Sequence, residues 1–306
     1  HTDPADLHRV YFQNVDGIRN DADEIDLYAE TMHQLNVGTI CWADPSLDFQ
    51  QPHCQSKVRK PFQQHFQSAR MAFSSSTVSC ERDSAYKPGG TLTATTDKWT
   101  SRSTGKPLVD PSGLGRWSGI SFLGKQKKRL SIITAYRSPR QQLKSGFGFY
   151  DQQYALLLAS GVSKPNVRTQ FIRDIIKFIQ ALQKDNHEII LSLDANETNG
   201  QDKVGIDRVI QECQLYDLHT IGPDDNPPAT YPYGNHRRID YMLGTSMVKE
   251  TVRRAGYLAY NDGIHSKHRG LFLDFDFQAL LGQVDTITSH ANRRLKSEDP
   301  VSTDKY

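Results

Sequence analysis

The sequence predicts a layered α/β domain, in which helices cover the faces of β-sheets. Three observations support this fold class. Short runs rich in β-branched and aromatic residues recur along most of the chain, a few segments carry apolar residues at helical spacing, and Gly or Pro interrupts the intervals between them. The length of 306 residues allows one large domain or two smaller ones.

The strand-like segments carry the clearer signal. Several alternate apolar and polar residues, as half-buried strands do, whereas the run at 189–193 is almost continuously apolar and suits a strand covered on both faces. The predicted strands are 10–13, 38–43, 71–75, 91–95, 117–123, 129–136, 188–193, 239–243 and 271–275.

The best-defined helix is predicted over residues 165–186. Phe171, Ile175, Ile179 and their neighbours repeat at helical spacing and form one apolar stripe. Weaker patterns predict helices over 22–35, 150–159 and 204–213.

Composition excludes several classes of protein. Lys and Arg number 37 against 35 Asp and Glu, so the net charge is only +2, and no run approaches the ~18 apolar residues of a membrane span. The first residues lack the apolar core of a secretory signal. The four cysteines lack ligand spacing, which favours reduced thiols in an intracellular protein; they are Cys41, Cys54, Cys80 and Cys213.

The last residues differ in composition from the rest. Residues 286–306 are polar and charged, the composition of a linker or tail, and the first residue is not Met. We therefore predict a domain over residues 1–282 and a polar C-terminal tail or linker over residues 283–306, cut from a longer polypeptide.

Polar residues follow the ends of several predicted strands. Each alone is typical of a turn or a helix cap, but strand ends are also where α/β layers assemble sites from distant parts of the sequence. Carboxylates and amides favour Mg²⁺ or Mn²⁺ over zinc, and a His beside a carboxylate suits hydrolysis of a phosphate ester. The residues are Asn14, Asp16, Asp44, Tyr136, Arg137, Asp194, Asn196, Asp240 and His268.

The order of these motifs resembles that of the endonuclease/exonuclease/phosphatase superfamily, whose fold is DNase I-like, and most of all its retrotransposon and apurinic-type endonuclease domains. The matching segments are 13–17, 40–44, 134–137, 193–196, 238–241 and 266–268, followed by the strand at 271–275. The resemblance implies a four-layered α/β sandwich of two packed mixed β-sheets flanked by helices.

The resemblance also implies catalytic roles. Asp194 would orient or deprotonate the attacking water, and Asn196 would hold a phosphate oxygen. Tyr136 would donate a hydrogen bond to the phosphate. Asp240 would hold His268, whose imidazolium would neutralise the charge of the transition state.

The metal site carries over in the same way. Asp16 and Asp44 would be ligands of Mg²⁺ (or Mn²⁺), with Asn14 beside them. Apart from the resemblance, basic residues near the site could supply phosphate contacts, and the residues predicted to contact the substrate are Asn14, Arg137, Arg238 and Lys267.

Two positions depart from the pattern of the superfamily. Asp44 stands where Glu is usual, and Lys267 stands where Asp is usual. An ammonium beside His268 is expected to lower the imidazole pKa by like-charge repulsion. Three alternatives remain open: Asp262 supplies the missing carboxylate, Lys267 itself contacts a phosphate, or the site is weakened.

The predicted function is that of a Mg²⁺-dependent DNA endonuclease domain of a non-LTR-type retroelement. It would nick target DNA in the nucleus to expose a 3′-hydroxyl, beside a reverse transcriptase domain in the same polypeptide. One alternative is a repair endonuclease that prefers abasic sites. Another is a catalytically weakened DNA-binding domain, suggested by Lys267.

Overall fold

Two mixed six-stranded sheets form the centre of the protein, as the resemblance implies. The computed structural model describes residues 7–18, 22–79, 85–140, 147–201, 204–220, 227–233, 237–260 and 262–282. The predicted tail at 283–306 lies outside these ranges.

Six strands make the first sheet, in the spatial order β11-β12-β1-β2-β4-β3. In this sheet β1 and β2 run parallel. The strands are β1 (Leu7–Asn14), β2 (Thr39–Ala43), β3 (Ala69–Ser74), β4 (Thr91–Thr96), β11 (Val252–Tyr257) and β12 (Leu271–Asp276).

The second sheet has the spatial order β5-β6-β7-β8-β10-β9. Here β7 and β8 run parallel, and β10 pairs antiparallel with β8. Its strands are β5 (Ser103–Val109), β6 (Trp117–Leu123), β7 (Arg129–Tyr136), β8 (His187–Asp194), β9 (Tyr216–Asp217) and β10 (Asp240–Gly244).

Helices cover the outer faces of both sheets. The apolar sides of α1 and α2 pack on the first sheet, and those of α4 and α5 pack on the second. The α-helices are α1 (Ala22–Gln34), α2 (Pro52–His65), α3 (Phe149–Ala159), α4 (Val167–Lys184), α5 (Ile206–Glu212), α6 (Ser246–Thr251) and α7 (Phe277–Leu281).

The period of two along each strand separates an inner core from two outer ones. On β1, Val10 and Phe12 point between the sheets while Tyr11 points towards the helices. On β8, Ile190 points inward while Ile189 belongs to the outer core under α4. The sandwich therefore has four layers: helices, sheet, sheet, helices.

The predicted strands and helices are confirmed, with bounds that shift by a few residues. Three strands (β5, β9, β11) and three helices (α2, α6, α7) were not predicted. Cys41, Cys54 and Cys213 are free and buried, as expected, and Cys80 lies outside the described residues. None of the described helices combines the length and the apolar character needed to cross a bilayer.

Candidate active site

The alternation that builds the inner core also points polar side chains between the sheets. Asn14 ends β1 with the same parity as Phe12, and Asp194 ends β8 with the same parity as Ile190. The two side chains meet across the interface, where Asn14 Nδ2 donates a hydrogen bond of 2.7 Å to Asp194 Oδ2.

Asp194 is the centre of the polar cluster. Strand pairing sets Tyr136 of β7 on one side of it and Asp240 of β10 on the other. Burial, reinforced by the negative charge of Asp240, raises the pKa of Asp194 to about 7. A carboxylate with this pKa can accept a proton near neutral pH.

His268 lies in the loop before β12 and faces Asp240. Its Nδ1 lies 2.8 Å from Asp240 Oδ2, and both side chains are buried. Burial alone would lower the pKa of His268, but the charges of Asp240 and Asp194 and the hydrogen bond to Asp240 outweigh it and raise the pKa to about 9. The ring is therefore an imidazolium at neutral pH.

The expectation that Lys267 lowers the pKa of His268 is wrong. The Lys267 ammonium turns towards Asp16, with Nζ 2.5 Å from Oδ2, so its charge is balanced there. The carboxylates nearest the imidazole decide its pKa instead.

A serine that sequence reasoning did not single out holds the His268 loop to the end of β1. Ser266 Oγ donates to the carbonyl of Asn14 at 2.6 Å and accepts from the His268 backbone N–H at 3.1 Å. Gln13 Nε2 donates to the His268 carbonyl at 2.8 Å. Both residues lie within the segments that match the superfamily, so the motifs could have identified them.

Asn196 is oriented by the turn that follows β8. Its backbone N–H donates to Asp194 Oδ1 at 2.9 Å, and its Nδ2 donates to the Arg137 carbonyl at 2.8 Å. The amide therefore stands beside the Asp194 carboxylate.

Three residues of the site adopt the left-handed backbone conformation one or two positions after a strand. The φ angles are 52° at Asp16, 50° at Asp44 and 50° at Asn196. Asp and Asn enter this region more readily than other residues with a side chain. Asp and Asn at these positions therefore suit both the left-handed backbone of the turns and the polar contacts of the site.

Asp44 is held by donors on both carboxylate oxygens. Ser46 Oγ and the Gly89 backbone N–H donate to Oδ1 at 2.8 and 2.9 Å, and the Tyr136 hydroxyl donates to Oδ2 at 3.0 Å. Burial raises the pKa of Asp44. Burial and the Asp44 charge raise the pKa of Tyr136 well above its usual value, so Tyr136 remains a neutral donor.

The ion pair between Lys267 and Asp16 lies at the exposed edge of the site. Its side chains are 52% and 39% exposed. The Asp16 backbone N–H donates to Asn14 Oδ1 at 2.8 Å, which ties this edge to the centre. Asp262 is exposed, and its backbone N–H bonds the carbonyl of Ala259; the described partner of His268 is Asp240.

Two arginines predicted to contact the substrate are engaged by carboxylates of the protein, Glu197 buried and Asp217 partly buried. Arg137 pairs with Glu197. Arg238 pairs with Asp217 at 2.5 and 2.9 Å and lies 4.7 Å from the centre of the Tyr241 ring. The structure therefore turns the guanidinium of Arg238 towards Asp217, whereas Arg137 remains next to Asp194 through its backbone N–H.

The site offers donors for a metal ion. Asp194 and Asp240 each present a carboxylate oxygen within 4.8 Å of the other and of a His268 ring nitrogen, and Asp240 Oδ1 has no hydrogen-bond partner among the described residues. The protonated His268 ring has no lone pair to offer a metal ion. Together with Asp16 and Asp44, the donors are mainly carboxylate oxygens, which suit a hard divalent ion. Lys267 competes for one of them, because its ammonium already neutralises Asp16.

The fold is shared with known nucleases and phosphatases. An AP endonuclease from Leishmania major has a TM-score of 0.62 at 13% identity, over 90% of this chain and 89% of that one. The endonuclease domain of TRAS1, a telomere-specific non-LTR retrotransposon, has a TM-score of 0.55 at 12% identity, over 90% and 100%. A 3′ phosphatase from Neisseria bound to a product DNA hairpin has a TM-score of 0.56 at 12% identity, over 88% and 100%.

This chain has the DNase I-like fold. Its solved structural neighbours include members of the endonuclease/exonuclease/phosphatase family. No family model matches the sequence, and no curated protein matches it either. At identities this low the likeness establishes the fold, and the function has to be argued from the site.

Proposed function

We propose that the protein is a phosphodiester hydrolase that nicks DNA with the help of a divalent metal ion. The observation that carries this proposal is the convergence of Asn14, Asp194, Asp240 and His268 between the ends of the two sheets. A carboxylate base next to a buried carboxylate–imidazole pair is suited to hydrolysis of a phosphate ester.

Each residue would take one part in an in-line displacement. Asp194 accepts a proton from water as the water oxygen bonds to phosphorus. The bond from phosphorus to the 3′-oxygen breaks, and that oxygen takes a proton from solvent water and becomes a 3′-hydroxyl. The His268 imidazolium, held by Asp240, donates to a non-bridging oxygen on which charge develops.

Two neutral donors would complete the oxyanion site. The Asn196 amide and the Tyr136 hydroxyl would each offer a hydrogen bond to a phosphate oxygen, the hydroxyl by turning away from Asp44 and the amide by giving up one of its present acceptors. Loss of a single such donor typically costs about 10²- to 10³-fold in rate.

The metal ion we propose is Mg²⁺ or Mn²⁺, because the donors are carboxylates. Asp44 and Asp16 would hold it, and it would supply positive charge to the non-bridging phosphate oxygens. Lys267 would have to release Asp16 before that carboxylate could become a ligand.

The finer role we propose is that of a retroelement endonuclease domain. The TRAS1 domain, which covers 90% of this chain, and the sequence motifs both support it. Such a domain would act on nuclear DNA and supply the 3′-hydroxyl primer to a reverse transcriptase in the same polypeptide. In this role Lys267 would contact a phosphate of the target strand.

Supercoiled plasmid provides the direct test. We expect nicking with Mg²⁺ or Mn²⁺, none in EDTA, and its loss in Asp194→Asn and in His268→Ala. Asp185→Asn is the matched control, since Asp185 is exposed and precedes the opposite end of β8. Absence of nicking by the parent protein under all metal conditions would refute the proposal.

Two alternatives predict different results when cleavage of an abasic duplex and binding of DNA in EDTA are measured beside plasmid nicking. A repair endonuclease, favoured by the likeness to the Leishmania AP endonuclease, would cut an abasic duplex in strong preference to intact DNA. A weakened DNA-binding domain, favoured by the pairing of Lys267 with Asp16, would bind DNA without metal and leave the plasmid intact.

A further inference from the structure

A cleft of about 460 Å³ opens beside the candidate active site. It lies between the turn after β1, helix α1, and the loops that precede His268. The residues that give it its chemistry are Asp16, Glu24, Tyr233, Tyr260, His265 and Lys267.

The cleft is continuous with the reaction centre. Ser266, which lines it, bonds the Asn14 carbonyl and the His268 backbone N–H. Aromatic rings follow the same route: the ring centres of His268 and Tyr231 are 4.9 Å apart, and those of Tyr231 and Tyr233 are 5.5 Å apart. A strand bound at His268 would therefore pass beside the cleft.

One aromatic ring of the cleft is held in place and the other is exposed. Arg269 lies 4.2 Å from the ring centre of Tyr260, whose hydroxyl donates to the Ala229 carbonyl at 3.1 Å. Tyr233 is 58% exposed. The cleft thus presents a planar apolar surface to solvent.

The lining of the cleft carries charges of both signs. The Lys267 ammonium is paired with Asp16. Glu24 also lines the cleft and accepts from the Tyr28 hydroxyl at 2.9 Å. A phosphate inside the cleft would face carboxylates, whereas a neutral ring with N–H donors would find both a stacking surface and acceptors.

We propose that this cleft binds the nucleobase next to the cleaved phosphate, stacked on Tyr233, with Lys267 at the flanking phosphate. This assignment rests on the proposed action on DNA and adds a base-stacking subsite to it. Stacking tolerates any base because every base has a π-face, so the subsite contributes affinity with little sequence preference.

Photocrosslinking together with binding tests the proposal. The probe is a set of duplex oligonucleotides of one sequence, each carrying a single 5-iododeoxyuridine at a different position, bound to the full chain in EDTA. We expect the labelled base to crosslink to the peptide containing Tyr233. Tyr233→Ala is expected to weaken binding by about 5- to 150-fold.

Two variants separate stacking from general damage. Tyr233→Phe keeps the ring and is expected to bind as the parent does. Tyr216→Ala removes an exposed tyrosine paired with Gly244, the end of β10 away from Asp240, and is expected to bind normally. Binding unchanged in Tyr233→Ala, with no crosslink to that peptide, would overturn the proposal.

The result is independent of the proposed chemistry, since neither readout requires cleavage. A chain that nicks plasmid but gives no crosslink at Tyr233 refutes the base subsite alone. A chain that gives the crosslink but never nicks DNA refutes the hydrolase proposal and leaves the subsite standing.

Discussion

Lys267 and Asp16, 251 residues apart in the chain, meet at the edge of the site with Nζ 2.5 Å from Oδ2. The contact raises the pKa of Lys267, so the ammonium keeps its proton through the neutral range. A permanent positive charge therefore lies on one of the two carboxylates that the resemblance assigns to a metal ion. Several predictions depend on this ion pair and on the other residues of the site.

Replacing the lysine is expected to strengthen binding of divalent ions. Lys267→Ala frees Asp16 and removes a like charge near the proposed ion, worth about 1–2 kcal/mol in water, or roughly 5- to 30-fold in affinity. Lys267→Asp is expected to go further. Mn²⁺ binding, followed by electron paramagnetic resonance, measures the effect without substrate.

Lys249→Ala is the control for a general change in charge, since Lys249 lies on α6 beside Tyr216. Equal Mn²⁺ affinity in the parent and in both Lys267 variants would contradict competition between the ammonium and the metal ion.

The rate of cleavage is expected to depend on pH with two limbs. Activity should rise as Asp194 loses its proton around pH 7 and fall as His268 loses its proton around pH 9. The rate rises and then falls because Asp194 must be deprotonated to accept a proton, whereas His268 must be protonated to offset the charge that develops on the phosphate. A profile of kcat/KM against pH checks this. A rate that falls as the pH rises through about 7 would contradict it.

Removing the Tyr136 hydroxyl is expected to lower activity more than stability. Tyr136→Phe retains the ring, which stacks on Phe149 with centres 5.1 Å apart, but deletes the donor to Asp44. We expect kcat to fall by about 10²- to 10³-fold. Phe149→Leu serves as the comparison: a similar loss of activity there would indicate that ring packing, rather than the hydroxyl, is responsible.

Restoring the usual glutamate at position 44 is expected to harm the protein. Asp44→Glu must adopt a φ near 50° and cannot keep the bonds from Ser46 and Gly89, so we expect a loss of roughly 1–2 kcal/mol in the free energy of unfolding. Chemical denaturation measures it. A variant both more stable and more active than the parent would show that the shorter side chain is the defect.

Arg238 is expected to stabilise the fold rather than to hold DNA. Arg238→Ala leaves the partly buried Asp217 without its cation, a loss of about 1–3 kcal/mol in the free energy of unfolding. Asp217→Asn in the same chain should recover part of that loss. If instead Arg238→Ala unfolds like the parent but binds DNA more weakly, the original assignment to substrate binding is correct.

The sequence predicts the strands that lie in the middle of the sheets better than those at the edges. The core strands alternate or are continuously apolar, whereas β5 is polar, exposed and contains Pro107, so it carries no burial pattern. β9 has only two residues. Such strands form because a neighbouring strand offers hydrogen bonds, and that pairing cannot be inferred from the strand's own sequence.

Helix α2 was missed for a different reason. Its buried residues Cys54, Val58, Pro61 and Phe62 do have helical spacing. Pro61 within the helix and the polar residues around it obscured that pattern, because Pro usually ends a helix. The helical spacing was therefore present in the sequence, but the proline argued against a helix there.

For the site, residue types could be predicted but pairings could not. Motif order identified Asp240 and His268, and they do meet. The partner of Lys267 could not be inferred, because His268 is its neighbour along the chain whereas Asp16 reaches it from the turn after β1, 251 residues away in sequence. Likewise the partner of Arg238 comes from the two-residue strand β9.

The polar contacts at the centre of the site join one sheet to the other. Asn14 belongs to the first sheet and Asp194 to the second, and their bond spans the same interface that Phe12 and Met242 fill with apolar atoms. The catalytic geometry therefore depends on how the two sheets pack against each other. A small change of volume deep in that interface would misalign the reacting groups while the fold persists, so loss of activity would reveal core damage earlier than a melting curve does.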